Sequence, residues 1–540
     1  MIKKILPFLF LAILVVWLYF PIFNNFFQQD EWAGFANYYL VGGKQYIINS
    51  LVPDPGHYVP LFKILFATLF KLFGFDYWKW SAVSILWHII NSFLVYLLAK
   101  KLFKKSWQAI FCGILFAVFA AGQQATSWVV ADSATHVATF FVLLSLVYFF
   151  EGKILKSIIM IVVSLLFKEI SIGMFAFFLI VLAYQNYIDK KKIFDKRILY
   201  FVAIGVLYII FRYLTFLGIF SNVSAPIITE SQGFREILTN MATFPVKTIS
   251  QTIIPQYALL EISKYIAEKL PDGIAGLPAT TFFDNFYLRY VLGVLVTGIF
   301  AIVLLVLTLA TKFKKNKYTA IAFFSLLFVI INSAIYALSP GRSSFIPIID
   351  SRNLYLPSVG IVFFIISIVS ILKDWKIITL ILGLFIGSNI MATKIELGKI
   401  SEIGKYRHNI LNQISKDNLK LTDKQIFYTE SDTSYYGLPD ETKILPFQSG
   451  FGQTLLVWFE KSERFPNDFF RDHYLWPIDS QGYKEVDNRG FGYFRDFNLL
   501  KSKITEYNLS ESSVIAYSWD SKTNKLTNIS DIIRLKLKND

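Results

Sequence analysis

The sequence has a single cysteine, Cys112, in 540 residues. With no second thiol, an internal disulfide framework and a cysteine-based metal site are both excluded. Charge is scarce too: 17% of residues are Asp, Glu, Lys or Arg, whereas 55% are hydrophobic. One soluble core of this length does not absorb so much apolar side chain. An internal repeat, a low-complexity tract and a glycine-rich phosphate loop ending in Lys-Ser/Thr are also missing, so ATP-driven transport within the chain has no support. His57, His88 and His136 are scattered, without the i, i+4 spacing of a helical zinc site.

What the chain does have is one apolar run after another. Mean hydropathy is +0.50, and stretches of the roughly 17–25 residues needed to cross a bilayer recur as far as about position 392. Eleven crossings are expected, near 5–23, 78–99, 107–121, 135–150, 154–167, 170–186, 198–219, 288–310, 318–338, 354–372 and 376–392. The first lacks a small-x-small cleavage site and reads as a retained span, not a signal peptide. The fifth is short for a crossing, and a re-entrant hairpin is its alternative.

Basic residues set the orientation. Segments assigned to the cytoplasm hold nineteen Lys and Arg, from Lys3 and Lys4 to Lys373 and Lys376, against four acids, which equals the whole-chain excess of +15. The isoelectric point near 9.4 therefore follows the positive-inside rule, and a nucleic-acid partner is not expected. The expected protein is a polytopic α-helical protein of the cell membrane, with its N-terminus inside and its C-terminus outside.

Residues 1–392 then form a transmembrane domain with outer loops of about 24–77, 220–287 and 339–353. Residues 393–540 form a soluble extracytoplasmic mixed α/β domain, with strands expected at 425–429, 455–459 and 513–519. Trp32, Phe35 and Tyr39 recur at helical spacing, and 61–73 is apolar but for Lys63 and Lys71, so interfacial helices are expected in the first loop. Pro245 and Pro255 suit a partly embedded, non-spanning segment in the long loop. Tyr435, Tyr436, Trp458 and Trp476 suit sugar stacking or ordinary packing in the tail.

Four polar motifs stand beside these apolar runs. Asp30-Glu31 follows the first span closely, at the depth where a lipid phosphate presents its cargo; a carboxylate there can take a proton from an attacking hydroxyl. An acidic pair favoured by a helix start is the plainer reading. Lys168-Glu169 interrupts two apolar runs, where charge costs about 2.5–3.5 kcal/mol each at the membrane centre unless it lines a polar cavity or reaches an interface; a mutually neutralising pair in a tight interhelical turn is the plainer reading. Arg212 lies about 22 Å along a helix from Arg197, where it needs an anionic partner, a lipid phosphate or a buried carboxylate, or else snorkels to the surface. The loop from Ser339 to Ser358 carries Arg342 and Arg352; a guanidinium fork holds phosphate bidentately, or simply anchors a helix end. His57, in the first outer loop, is the functional candidate among the histidines.

Taken together and in order, Asp30-Glu31, His57-Tyr58-Val59-Pro60-Leu61, Lys168-Glu169 and Ser351-Arg352-Asn353-Leu354-Tyr355-Leu356-Pro357-Ser358 resemble the GT-C superfamily of polyprenyl-phosphate-sugar glycosyltransferases. Protein O-mannosyltransferase-like and transmembrane tetratricopeptide mannosyltransferase-like members are the nearest in pattern. The resemblance covers about 1–392, and Ser351 replaces a Glu of the family's pattern. It implies Asp30 as catalytic base with Glu31 beside it, and Arg352, Arg212, Lys168, Glu169, His57 and Arg342 about the donor phosphate and substrate. It also implies a polyprenyl-phosphate sugar as donor and a hydroxyl on a protein, glycan or lipid as acceptor. Whether a divalent metal takes part is left open, and no metal ligand is assigned. Two alternatives remain: a transferase or polymerase of lipid-linked oligosaccharides, and a transporter or flippase, which would show inverted repeats.

Overall fold

The structure, a computed structural model, describes residues 2–220, 234–255, 317–338, 349–433, 443–447, 451–460 and 481–539, apart from 29, 55, 193, 194, 373, 418, 420, 487 and 488, with a few residues between 258 and 302. Most of the expected crossing at 288–310, most of the long loop, Arg342, Tyr435, Tyr436 and Trp476 lie outside the described residues.

The helices are α1 (Ile2–Tyr19), α2 (Asp30–Val41), α3 (Gly43–Ser50), α4 (Pro60–Phe73), α5 (Tyr77–Leu102), α6 (Ser106–Val118), α7 (Gln123–Ser127), α8 (Ser133–Phe150), α9 (Ile154–Phe167), α10 (Gly173–Ile188), α11 (Lys196–Phe216), α12 (Phe234–Ile253), α13 (Lys317–Ala334), α14 (Tyr355–Val369) and α15 (Trp375–Lys416). Among the described residues, eight helical segments are long and apolar enough to cross a membrane. The chain is thus a multi-pass α-helical membrane protein. The third expected crossing, drawn as one span, is instead bent by 43° between α6 and the segment Ala120–Ser127. The bend has a local cause: Ser351 Oγ donates to the Ala121 carbonyl at 2.6 Å and accepts from the Gln124 amide at 3.2 Å, taking over backbone groups at the break. The fifth, α9, is a 14-residue helix of about 21 Å. It is pinned to α8 by Ser145 Oγ to Ser157 O and by Ser164 Oγ to Ala138 O, at 2.8 and 2.9 Å.

Two compact units make up the chain. The first comprises Met1–Phe20, Ile48–Thr68 and Lys79–Leu397; the second comprises Pro21–Ile47, Leu69–Trp78 and Gly398–Asp540.

In the first unit the lysine-bearing ends of several helices meet. Lys101 at the end of α5 and Lys153 before α9 both reach Glu151, after α8, at 2.7 Å. Gln108 in α6 donates to Ser370, just past α14, at 2.5 Å. These contacts put the lysine-bearing end of α5, the α8–α9 turn with Lys153 and the end of α14 at one end of the helices, as the positive-inside pattern requires of one membrane face.

The second unit holds a five-stranded mixed sheet in the order β2-β3-β1-β4-β5, built from β1 (Lys424–Ser431), β2 (Gly482–Val486), β3 (Arg489–Phe494), β4 (Val514–Asp520) and β5 (Lys525–Asn528). Central β1 runs parallel to both β3 and β4, while the outer strands pair antiparallel. Its alternate residues serve two layers. Ile426 and Tyr428 join a core with Leu500, Ile504 and Ile533 from helices Phe497–Glu506 and Ser530–Asn539. Phe427 turns the other way, to Phe451 at 5.9 Å. Phe451 opens the helix Phe451–Phe459, which corrects the strand expected at 455–459. Phe451, Leu455, Leu456 and Phe459 are all buried, and their spacing is helical, a period that a five-residue window cannot reveal. The same unit takes in the first-loop helix α2: Trp32 and Trp458 lie 6.5 Å apart in an aromatic cluster with Phe26, Phe27, Phe35 and Phe75.

Candidate functional site

Away from the lysine-bearing ends, the first unit gathers ionic side chains contributed by five separate stretches of sequence. Asp132 precedes α8, Lys168 and Glu169 link α9 to α10, Arg212 sits near the end of α11, His57 precedes α4, and Arg352 lies in the 3-10 turn Ser351–Leu354 that opens α14. Asp132 and Glu151 bracket α8, whose 18 residues separate the two ends by about 27 Å.

Two linked groups result. In one, Lys168 Nζ donates to Thr135 Oγ1 at 2.5 Å and lies 3.4 Å from Asp132 Oδ1, to which Thr135 also donates at 3.2 Å. Asp132 is 1% exposed and Lys168 24%. Asp132 Oδ2 is buried and has no hydrogen-bond partner among the described residues. Burial pushes the Asp132 carboxyl up, against the pull of Lys168 and Arg352. It also draws the Lys168 ammonium down, against the hold of Asp132. Both shifts have one origin, the cost of charge in a poorly solvated place. Arg352 stacks its guanidinium on Trp128 at 4.6 Å and pairs loosely with Asp350 at 3.6 Å. Its backbone amide donates to Gln124 Oε1 at 3.3 Å.

In the other group, Glu169 is shared. Its Oε2 meets His57 Nδ1 at 2.9 Å, and its Oε1 meets Arg212 Nη2 at 3.0 Å. Arg212 also donates to the carbonyls of Asp54 and Gly56, at 3.1 and 2.7 Å. The anionic partner that its depth demanded is thus the carboxylate of Glu169, and its remaining donors clasp the loop before α4. Glu169 raises the His57 imidazole above its ordinary pKa by accepting that hydrogen bond. His57 itself is 83% exposed.

Asp30 and Glu31 belong to the second unit, at the first turn of α2. Asp30 is exposed, whereas Glu31 is 1% exposed. Glu31 Oε2 accepts from the Gln28 amide at 2.8 Å while its own amide donates to the Gln28 carbonyl, a reciprocal closure of the helix start. His88 and His136 do not enter the ionic cluster; they are buried and bonded to Tyr355 and Thr126, at 2.8 and 3.2 Å.

Sequence reasoning passed over Asp132, Thr135 and Trp128. The only sign was a lone acid at an apolar run, Ala131-Asp132-Ser133, which on its own reads as a helix cap. Among the described residues no three His, Cys, Asp or Glu side chains come together as metal ligands. The neighbours of Asp132 are cations, so the cluster does not fit a divalent metal.

No family model matches the chain, and no curated protein matches it. Among solved structures, ArnT from Cupriavidus metallidurans in the apo state is similar over 96% of this chain and 93% of that one, with 12% identity and a TM-score of 0.35. At that score the likeness carries no argument for fold or function.

Proposed function

We propose that this chain is a membrane glycosyltransferase that takes a sugar from a polyprenyl-phosphate carrier and passes it to an acceptor hydroxyl at the outer face. The observation that carries this reading is the meeting of Lys168 and Arg352, from motifs nearly 200 residues apart, beside Asp132 and Trp128 at the lysine-poor end of the helices. An ammonium and a guanidinium, each about three-quarters buried, are suited to an anion that arrives at the membrane surface. By the positive-inside rule that end faces outward.

In this reading the acceptor oxygen bonds to the anomeric carbon of the sugar, and the bond from that carbon to the phosphate oxygen breaks. The departing lipid phosphate is stabilised by Lys168 and Arg352. Asp30 takes the hydroxyl proton, a role that rests on its motif and its exposure. Glu31 holds the turn that presents it, while Glu169, His57 and Arg212 hold the loop before α4.

The experiment is to purify the protein with lipid and supply labelled polyprenyl-phosphate sugars one at a time. Lipid-phosphate release is then compared for the native chain, Asp30→Asn, Lys168→Met and Arg352→Lys. Release that is lost in Asp30→Asn and needs at least tenfold more donor in the two cation variants supports the reading. Equal release in all four, or none with any carrier, overturns it and favours oligosaccharide transfer or transport.

A further inference from the structure

We propose that the Asp132–Lys168 pair is an exchangeable ion pair, in which binding of a phosphate ester by Lys168 is coupled to uptake of one proton by Asp132. The inference deepens the proposed function and rests on it for the nature of the ligand.

The geometry makes Asp132 dependent on its neighbours. Its carboxylate is buried, one oxygen is held by Thr135 and Lys168, and the other has no partner among the described residues. Lys168 is the more exposed partner, and 3.4 Å is a long contact for an ammonium and a carboxylate. An incoming phosphate therefore meets the ammonium first and competes for it.

Other charged groups near Asp132 do not replace what it would lose. Arg352, the other cation whose charge reaches Asp132, is turned to Asp350 and Trp128 and, in the proposed function, to the same phosphate, and His136, on the same helix as Thr135, turns Nε2 to Thr126. Glu169, next in the chain to Lys168, is held by His57 and Arg212.

Charge then settles the proton count. Before binding, Asp132 and Lys168 sum to zero, whichever of them carries the shared proton. Once phosphate neutralises Lys168, a bare carboxylate would be left buried, a far costlier state than the acid. One proton from solvent completes the exchange: the ammonium passes from carboxylate to phosphate, and the carboxylate becomes a carboxyl. The raised pKa of the group agrees with that direction. Release of the phosphate reverses each step.

The test uses the full chain in detergent and a short isoprenyl methyl phosphodiester, whose single negative charge does not titrate near neutrality. Binding is measured calorimetrically in buffers of different ionisation enthalpy between pH 6 and 9. For the native protein we expect close to one proton taken up per ligand and an affinity that falls about tenfold per pH unit in the upper part of that range. In Asp132→Asn we expect no uptake, a flat pH profile and binding at least as tight as native at pH 8. Diester binding without proton uptake by the native protein overturns the exchange and leaves the proposed function standing; this arm needs no variant. Uptake that persists in Asp132→Asn also overturns it. Inorganic phosphate is titrated in parallel, with its own ionisation near neutrality subtracted: if it binds with the same coupling and the diester does not, the exchange holds and the lipid-carrier reading fails. Binding of neither ligand overturns both.

Discussion

Glu169 Oε2 meets Nδ1 of His57 at 2.9 Å, although 112 residues separate the two in the chain. The contact ties the loop before α4 to the turn after α9, and Arg212 reinforces it by gripping the carbonyls of Asp54 and Gly56. The His57 pKa is raised by Glu169. A group whose folded pKa is raised contributes its stabilisation fully below its unfolded value, about 6.5, and loses it as pH rises through the folded value. With the ordinary base-catalysed rise of exchange divided out, amide protection in residues 51–58 should therefore be high in mild acid and fall above neutrality. His57→Ala should show low protection throughout, without that pH dependence. Because His57 is 83% exposed, the stabilisation is at most about 1 kcal/mol. A flat profile in the native protein would show that Arg212 alone holds the loop.

A second expectation concerns the buried pair. Removing one member of a buried ion pair costs about 3–5 kcal/mol, because it leaves the other charge uncompensated. Lys168 is 24% exposed, so Asp132→Ala should cost somewhat less, about 2–3 kcal/mol. Lys168→Met should cost more than Asp132→Ala, since the orphaned carboxylate is the more buried. The double variant Asp132→Ala/Lys168→Met should recover part of the loss. Thermal unfolding in detergent reads all three, and strictly additive losses would deny the pairing.

Much of this architecture was legible in advance, because a bilayer imposes length and apolarity on whatever crosses it. Each expected crossing within the described residues falls on helix, except that the third, 107–121, is broken after Val118. Less legible was anything decided by contact. The bend after α6 depends on Ser351, some 230 residues away, and a run such as Phe-Ala-Ala-Gly gives no sign of it. The strand expected at 455–459 failed because a short apolar run has no readable period. At the site, Lys168, Glu169, Arg212 and Arg352 stood out as charges beside apolar runs, but Asp132 did not. A single acid before a helix looks like a cap, and only the fold brings Lys168 to it.

The two acids of the first-loop motif should separate cleanly. Asp30 is exposed at the start of α2, so Asp30→Asn should leave thermal stability within about 0.5 kcal/mol of native while abolishing sugar transfer. Glu31 is buried and closes the helix start on Gln28, so Glu31→Gln should lower stability by about 1 kcal/mol. Its effect on transfer should be smaller than that of Asp30→Asn. Measuring unfolding and transfer on the same preparations decides this; a stable but inactive Glu31→Gln would transfer the base role to Glu31.

The helix that carries Arg352 into place is held by a close approach with no spare room. Gly360 in α14 faces α13 so tightly that an added Cβ would lie 2.6 Å from the Ser325 carbonyl oxygen and 2.7 Å from Val329 Cγ2. Small residues at such crossings let two membrane helices pack backbone to backbone. Gly360→Ala must therefore push the helices apart, since a backbone carbonyl cannot rotate aside as a side chain can. The expected cost is about 1–3 kcal/mol, typical of overpacking. Gly383 in α15 supplies the control, because an added Cβ there meets nothing within 4 Å. Gly383→Ala should leave stability unchanged or raise it by up to about 1 kcal/mol through helix propensity. Thermal unfolding of both variants in the same detergent checks the pair: a drop for Gly360→Ala alone supports tight α13–α14 packing, and equal behaviour would refute it. Because α14 begins three residues after Arg352, the Gly360→Ala variant should also need more donor for half-maximal transfer, whereas Gly383→Ala should not.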